Sequence, residues 1–457
     1  MNGEIPVKKK ALLAVLLAMT LLLSSCALIK KDEAVDAATV ILKLGDEEIT
    51  KAQVTAATDS TLANMYQYYA MFGQQLDLTD PEVVASAQSS ALTSLKQGMT
   101  IRAKAKELGL DVLTEEEKAE AREHALSDWE ADKESVRTYY LSEEEQALEG
   151  DALEEALLAR MEKLGLKQED YEKNAEAETV SSKVRQYVIK DVAVTDEEVK
   201  ADYDSKVAAD EEKYKESLES WATADRNGTS TLYYTPAGIR RIRQILVKFK
   251  ADDQAAIDAA NAKITEASGK VSDAEKTITA EDASEEEKKQ AEEAKAAAEA
   301  DKAAAEAELK EATDKAFENL DADVDAILEG LQADPDTWDQ VAEEKNEDPG
   351  MKAGAVNAEK GYAVFSGMTS FDSAFVDAAM ALESVGDISG KVRGETYGYY
   401  ILRYVGDEAE GPVDYESVKE SLHNALLTSK QNTTYSDTLT KWVEEAGIKE
   451  DLGALKN

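Results

Sequence analysis

Side chains able to act as nucleophiles or soft ligands are scarce in this chain. Its 457 residues hold one cysteine, Cys26, and two histidines, His124 and His423. A lone cysteine excludes an intrachain disulfide. The histidines fall in separate helical stretches and read as surface or core residues, so no His/Cys metal site can be assembled from this inventory. The chemistry open to Cys26 comes from where it stands. Lys8-Lys9-Lys10 lead into an apolar run from Ala11 to Leu23, and Leu23-Ser24-Ser25 then precede the cysteine. That run is too short for an ordinary membrane span. Small residues ahead of a cysteine suit a signal-peptidase cleft, and the exposed thiol can accept a diacylglycerol.

The element layout must position everything else. Arg241-Ile242-Arg243-Gln244-Ile245-Leu246-Val247-Lys248-Phe249 and Gly398-Tyr399-Tyr400-Ile401-Leu402-Arg403-Tyr404 are short runs of β-branched and aromatic residues. Each reads as a strand, and the two are expected to meet in one sheet. Val40–Ile49 reads as a small strand–turn–strand. Most of the rest reads as helix, with capping boxes at Thr50/Gln53, Thr114/Glu117, Ser142/Glu145, Thr195/Glu198 and Ser284/Glu287. Residues 252–325 are Ala/Glu/Lys-rich and free of proline, the pattern of a helical hairpin or antiparallel coiled coil. In a last helix, over about 414–445, Leu422, Leu426, Tyr435, Leu439 and Trp442 recur at near-helical spacing as an expected buried stripe. Met65, Tyr66, Tyr68, Tyr69, Met71 and Phe72 form either a core face or an adaptable apolar surface. Lys+Arg number 52 and Asp+Glu 95, a net charge of −43 that argues against nucleic-acid binding. The acidity gives a self-repelling surface, or one that attracts cations or basic unfolded chains.

Several of these pieces resemble a known family. The first strand resembles the R-x-x-H-I-L-V-K strand of parvulin-type peptidyl-prolyl isomerases, with Gln244 at the histidine. The second resembles their G-Y-H-I-I-K strand, with Tyr400 at the other histidine. Between them, Asn346-Glu347-Asp348-Pro349-Gly350 resembles S-x-D-P-G, residues 375–382 resemble F-E-D-A-A-F-x-L, and Val385-Gly386-Asp387-Ile388-Ser389 resembles V-G-E-I-S. The strand, G-[DE]-x-x-I-T, helix start at residues 40–50 is similar to the N-terminal chaperone domain of PrsA/SurA-like foldases, and Leu23-Ser24-Ser25-Cys26 resembles a bacterial lipobox. The resemblance implies proline-pocket roles for Phe365, Phe375 and Met380, and for either Met368 or Phe371 as the pocket methionine's counterpart. It implies polar roles for Gln244 and Tyr400. The family's Asp/Cys position falls near Gly361, where no acid stands. Isomerisation of this kind uses no metal and no cofactor.

The resulting expectation is an α+β chain. A mostly helical chaperone domain accompanies a parvulin-like small antiparallel sheet with helices, which carries the inserted hairpin. Residues 1–25 are read as a lipoprotein signal peptide, 26–37 as a tether, and 38–221 as the N-terminal helical domain. A linker over 222–238 precedes a parvulin-like domain over 239–406, interrupted by 252–325. Residues 407–457 bring a C-terminal helix back onto the N-terminal domain. The implied function is a membrane-anchored extracytoplasmic isomerase and foldase acting on unfolded exported client polypeptides. The alternative is a non-catalytic holdase that keeps the fold for binding. The inserted arm is open to two readings, a solvated spacer and an attachment point for a partner.

Overall fold

The capping boxes read from the sequence all close. At Thr50, Thr114, Ser142, Thr195 and Ser284 the hydroxyl accepts the N3 backbone N–H, and the N3 Gln or Glu side chain accepts the cap's own N–H. Each box satisfies two donors that a helix start otherwise leaves open. In this computed structural model residues 33–456 are described, so the signal segment and Cys26 lie outside the described residues. Of the expected tether, 33–37 is ordered as a short helix, Glu33–Ala37, whose Asp36 pairs with Lys51 at 2.9 Å.

The fold is α+β and mostly helical. Its contacts divide the chain into two units, one running to Ala193 and resuming at Leu427, the other Val194–Leu426. In the first, strands Val40–Leu44 and Glu47–Thr50 pair antiparallel, and the C-terminal strand Lys449–Glu450 adds to the outer side of Val40–Leu44. Ile41, Leu42, Ile49, Val54 and Met99 bury beneath this small sheet. The helices Lys51–Met71, Pro81–Leu108, Glu115–Tyr139, Gly150–Lys163 and Gln168–Ile189 make up the remainder. Within this unit Arg185 donates to Asn432 and lies over Tyr435, fastening the C-terminal helix, Tyr415–Glu445. Of that helix's expected stripe, Leu439 is buried and Tyr435 and Trp442 are half-buried in this unit, whereas Leu422, buried with Val199 and Tyr203, and the half-buried Leu426 belong to the second. Among the described residues no helix is long and apolar enough to cross a membrane.

The second unit is built on a four-stranded antiparallel sheet. A central strand, Arg240–Lys248, lies between Tyr362–Val364 and the return strand, Gly398–Asp407, and Val392–Arg393 forms the far edge. Strand alternation separates two cores. Ile242, Leu246, Tyr400, Leu402 and Tyr404 face a cluster with Phe365, Met368, Phe375 and Val376. Ile245, Tyr399 and Ile401 face the other way, onto Phe249, Phe317, Leu320 and Trp338. Both faces are covered, which is why the two strands read as almost continuous apolar runs.

The insertion is a helical hairpin. Helix Ala251–Thr279 runs out and helix Glu285–Ala333 returns. Ala260, Ala267 and Ala274 bury against Ala291, Ala298 and Ala305, at seven-residue intervals on both helices. Lys263 pairs with Glu308 and Lys295 with Glu275 across the seam, so the register is antiparallel. Alanine brings the helix axes close but buries little area per layer, so the seam is thin. The second helix does not end where the arm does. It continues into the body, where Phe317, Leu320, Val324, Leu328 and Leu331 form part of the core under the sheet.

The expected linker over 222–238 is corrected over its first six residues. Residues Leu218–Asn227 form a helix that buries Trp221, Ala222 and Asp225 and ends at Gly228, which is left-handed. Its composition is small and polar, yet its i, i+1, i+4 face packs onto the sheet unit. Trp221 Nε1 donates to the Tyr234 carbonyl at 2.8 Å. Asp225 takes a two-pronged hydrogen bond from Arg241 and a third bond from Lys360 at 2.8 Å. Arg241 is also held by Glu408. Strand Tyr234–Thr235 then pairs with Gly411–Pro412, which leaves 228–233 and 236–238 as loop.

Candidate functional site

Antiparallel pairing sets Gln244 opposite Leu402 and Leu246 opposite Tyr400. Gln244 and Tyr400 are therefore diagonal neighbours on one face of the sheet. A pocket of about 360 Å³ opens on that face. Both residues line it, with Leu246, Asp348, Tyr362, Phe371 and Phe375 among the others. Its volume is that of a small-ligand site. Its wall is a file of rings: Tyr362 to Phe371 at 5.2 Å, Phe371 to Phe375 at 5.2 Å and Phe375 to Tyr400 at 5.3 Å.

The 346–350 loop supplies the polar side. Asn346 stands in for a neighbouring strand: its Oδ1 accepts from Leu246 N–H at 2.9 Å and its Nδ2 donates to the Gln244 carbonyl at 2.8 Å. That places Asp348 at the pocket. The Asp348 carboxylate accepts from Gln244 Nε2 at 2.6 Å, from the Tyr362 hydroxyl at 2.9 Å and from Gly350 N–H at 2.9 Å. A Cβ at residue 350 would lie 2.0 Å from the Tyr362 oxygen, so a larger residue there would displace the hydroxyl from Asp348. Gly394 has a similar duty toward Tyr400, whose ring would sit 2.4 Å from an added Cβ.

Two polar groups are left over. Gln244 Oε1 is buried without a hydrogen-bond partner. Among the described residues no protein group bonds the Tyr400 hydroxyl, and burial together with the Asp372 carboxylate pushes that phenol well above its ordinary range. Burial and Asp348 do the same to Tyr362. Both phenols thus stay protonated, and Tyr400 keeps an uncommitted O–H donor beside an apolar wall.

The seven pocket residues read from sequence separate into two groups. Gln244, Tyr400, Phe371 and Phe375 meet at the pocket. Phe365 and Met368 are core residues behind it, and Met380 is a half-buried residue packed on the same core. Between Met368 and Phe371, then, Phe371 is the one at the wall. Gln244 and Tyr400 do not bond each other: Gln244 Nε2 donates to Asp348, and its Oε1 has no partner. Asp348, Tyr362 and Tyr397 are site residues that the sequence reading did not assign.

Fold and pocket together define a small antiparallel sheet with an aromatic-walled pocket, in a chain that also holds a helical unit. No protein-family model matches the chain. Over 112 residues it is 33% identical to foldase protein PrsA of Clostridium botulinum, covering 24% of this chain and 31% of that protein. Over 81 residues it is 31% identical to PrsA of Clostridium acetobutylicum, covering 18% and 23%. The chain thus spans about a third or less of the length of these curated relatives. Among solved structures it aligns with PrsA of Streptococcus pneumoniae at 14% identity over 92% of this chain and 97% of that one, with a TM-score of 0.25. A SurA-like chaperone of Campylobacter jejuni aligns at 13% identity over 90% and 100%, with a TM-score of 0.24.

Proposed function

We propose that this chain is an exported foldase whose 194–426 unit isomerises prolyl bonds in unfolded client polypeptides, in the manner of a parvulin. The reading includes a lipid anchor at Cys26 on the outer face of a bacterial membrane, and a coiled-coil arm. The observation that carries the catalytic part is the aromatic pocket with one uncommitted hydroxyl donor, Tyr400. The barrier to prolyl isomerisation is the amide's double-bond character, about 18–20 kcal/mol. An apolar wall disfavours the charge-separated planar amide. A donor placed at the imide nitrogen favours the twisted form, whose nitrogen lone pair is localised. No nucleophile or metal is called on. Cis/trans exchange on X-Pro peptides tests this directly. The whole chain should accelerate exchange, and Phe371→Ala, at the half-buried end of the wall, should lose about tenfold of that rate. Unaltered turnover in Phe371→Ala would remove the pocket from the reaction.

A second reading, a holdase without catalysis, is favoured by a feature of the helical unit. Tyr68, Met71 and Phe72, at the end of helix Lys51–Met71, are 60%, 72% and 60% exposed. Of the two readings of this cluster, the core face therefore fails for these residues. Tyr68→Ser with Phe72→Ser is expected to halve or worse the suppression of aggregation of an unfolded client, as followed by light scattering. Under this reading prolyl exchange on short peptides should stay at the uncatalysed rate in parent and variant alike. A double variant that suppresses aggregation as well as the parent excludes the cluster as a client surface.

A further inference from the structure

A second cavity opens where the arm joins the sheet. It measures about 900 Å³ and shares Lys248 and Tyr397 with the prolyl pocket. Its floor is apolar, from Val247, Phe249 and Leu320, and one wall is the arm itself, through Gln254 and Asp258. Tyr397, 54% exposed, stands between the two openings. We propose that this groove is a second subsite for the client chain, taking an apolar side chain that lies a few residues from the proline. The proposal rests on the peptide-binding reading of the prolyl pocket and extends it.

Three observations support an apolar occupant on an extended segment. The groove and the pocket share Lys248 and Tyr397 at the end of the central strand, although their floors lie on opposite faces of the sheet, so a polypeptide passing over that end reaches both. At about 3.3–3.6 Å per extended residue, neighbouring cavities are bridged by a few residues. Several polar groups around the groove are already answered within the protein. Asp258 accepts from Gln254 at 2.8 Å, Lys250 Nζ donates to the Asn319 carbonyl at 2.9 Å, and Glu347 accepts from the Lys248 N–H at 2.7 Å. An apolar side chain in the groove would meet the floor of Val247, Phe249 and Leu320 and the ring of Tyr397. The insertion would then have a function at its root, by making one side of a longer binding track.

The test compares prolyl exchange by the full chain on three peptides: a capped Ala-Ala-Pro-Ala, and two decapeptides around the same Ala-Pro with a single phenylalanine either four residues before or four after it. One decapeptide should exceed the tetrapeptide in kcat/KM by about fivefold, the effect of partly burying one aromatic side chain. Replacing its phenylalanine by alanine should remove the advantage, as should Gln254→Trp, which fills the groove from the arm. Tetrapeptide turnover should stay unchanged in Gln254→Trp, because that residue does not line the prolyl pocket. Asp258→Trp repeats the block from the next turn. Equal kcat/KM for all three peptides overturns the proposal, as does an advantage that survives both tryptophan variants. If nothing is turned over, the isomerase reading fails by itself, and the groove is then judged by anisotropy with the same peptides fluorescein-labelled. A phenylalanine-dependent affinity lost in Gln254→Trp upholds it; its absence overturns it.

Discussion

Asp225→Ala should lower the stability of the 194–426 unit by about 3–5 kcal/mol, the usual effect of removing one member of a buried ion pair. Asp225 is 8% exposed and Arg241 8% exposed. The substitution would leave the guanidinium, two of whose nitrogens point at the lost carboxylate, facing a cavity. For a unit of this size each kcal/mol moves Tm by about 2–4 °C, so calorimetry should register a fall of about 10 °C. The same pair fixes an acid limb. Burial alone would raise the Asp225 carboxyl, but the hydrogen bonds and charges of Arg241 and Lys360 outweigh it and hold it below the ordinary carboxylate range. A carboxyl depressed on folding stabilises fully above its unfolded value, about 3.9, and that contribution is lost as pH falls through the folded value. Wild-type stability should therefore drop steeply below about pH 4, and Asp225→Ala should lack that part of the slope. Asp225→Leu combined with Arg241→Met should recover most of the loss, because Glu408 and Lys360 are exposed enough to reach water. A single variant as stable as the parent would show that the network does not hold the helix to the sheet.

That network also marks where sequence reading stopped. The helix caps were legible because each is a four-residue pattern. The two main strands were legible because both their faces are covered. Gln244 and Tyr400 stand together in the sequence only through the resemblance to the family's two histidines, because the register that puts them on one face is set between strands far apart in the chain. Asp348 could not be assigned a part in the site. The Asn346-Glu347-Asp348-Pro349-Gly350 loop was recognised, but its carboxylate meets Gln244 across 104 residues of chain, and the acid was sought near Gly361 instead. The residue after Gly361 brings the group that matters, the Tyr362 hydroxyl, which reaches the same carboxylate. Helix Leu218–Asn227 was hidden for a related reason. Its composition is that of a loop, and the partner that makes Asp225 a buried residue is Arg241, in the strand that follows. Met368 was a candidate by its neighbouring glycine, whereas Phe371, three positions on, is the one that reaches the wall.

Tyr400→Phe should lower kcat and kcat/KM for prolyl exchange together, by about ten- to hundredfold, with KM unchanged. That is the signature of a donor used only in the transition state. The ring remains in both forms, so its contact with Phe375 at 5.3 Å is kept and the pocket stays filled. The lost hydroxyl has no partner among the described residues, so its removal should cost the fold little. The pH profile separates this site from one built on imidazoles. A histidine pair would titrate near pH 6.5. Here the donor is a phenol held above its ordinary range by burial and by Asp372, so it stays protonated, and the wild-type rate should be level from about pH 6 to 9. Gln244→His with Tyr400→His provides the converse. The new residue 244 would face the Asp348 carboxylate that now takes the Gln244 amide, and the profile should acquire an inflection in the histidine range. If Tyr400→Phe turns over as fast as the parent, the hydroxyl is a spectator. Any acceleration would then come from the aromatic wall alone, by excluding water from the planar amide.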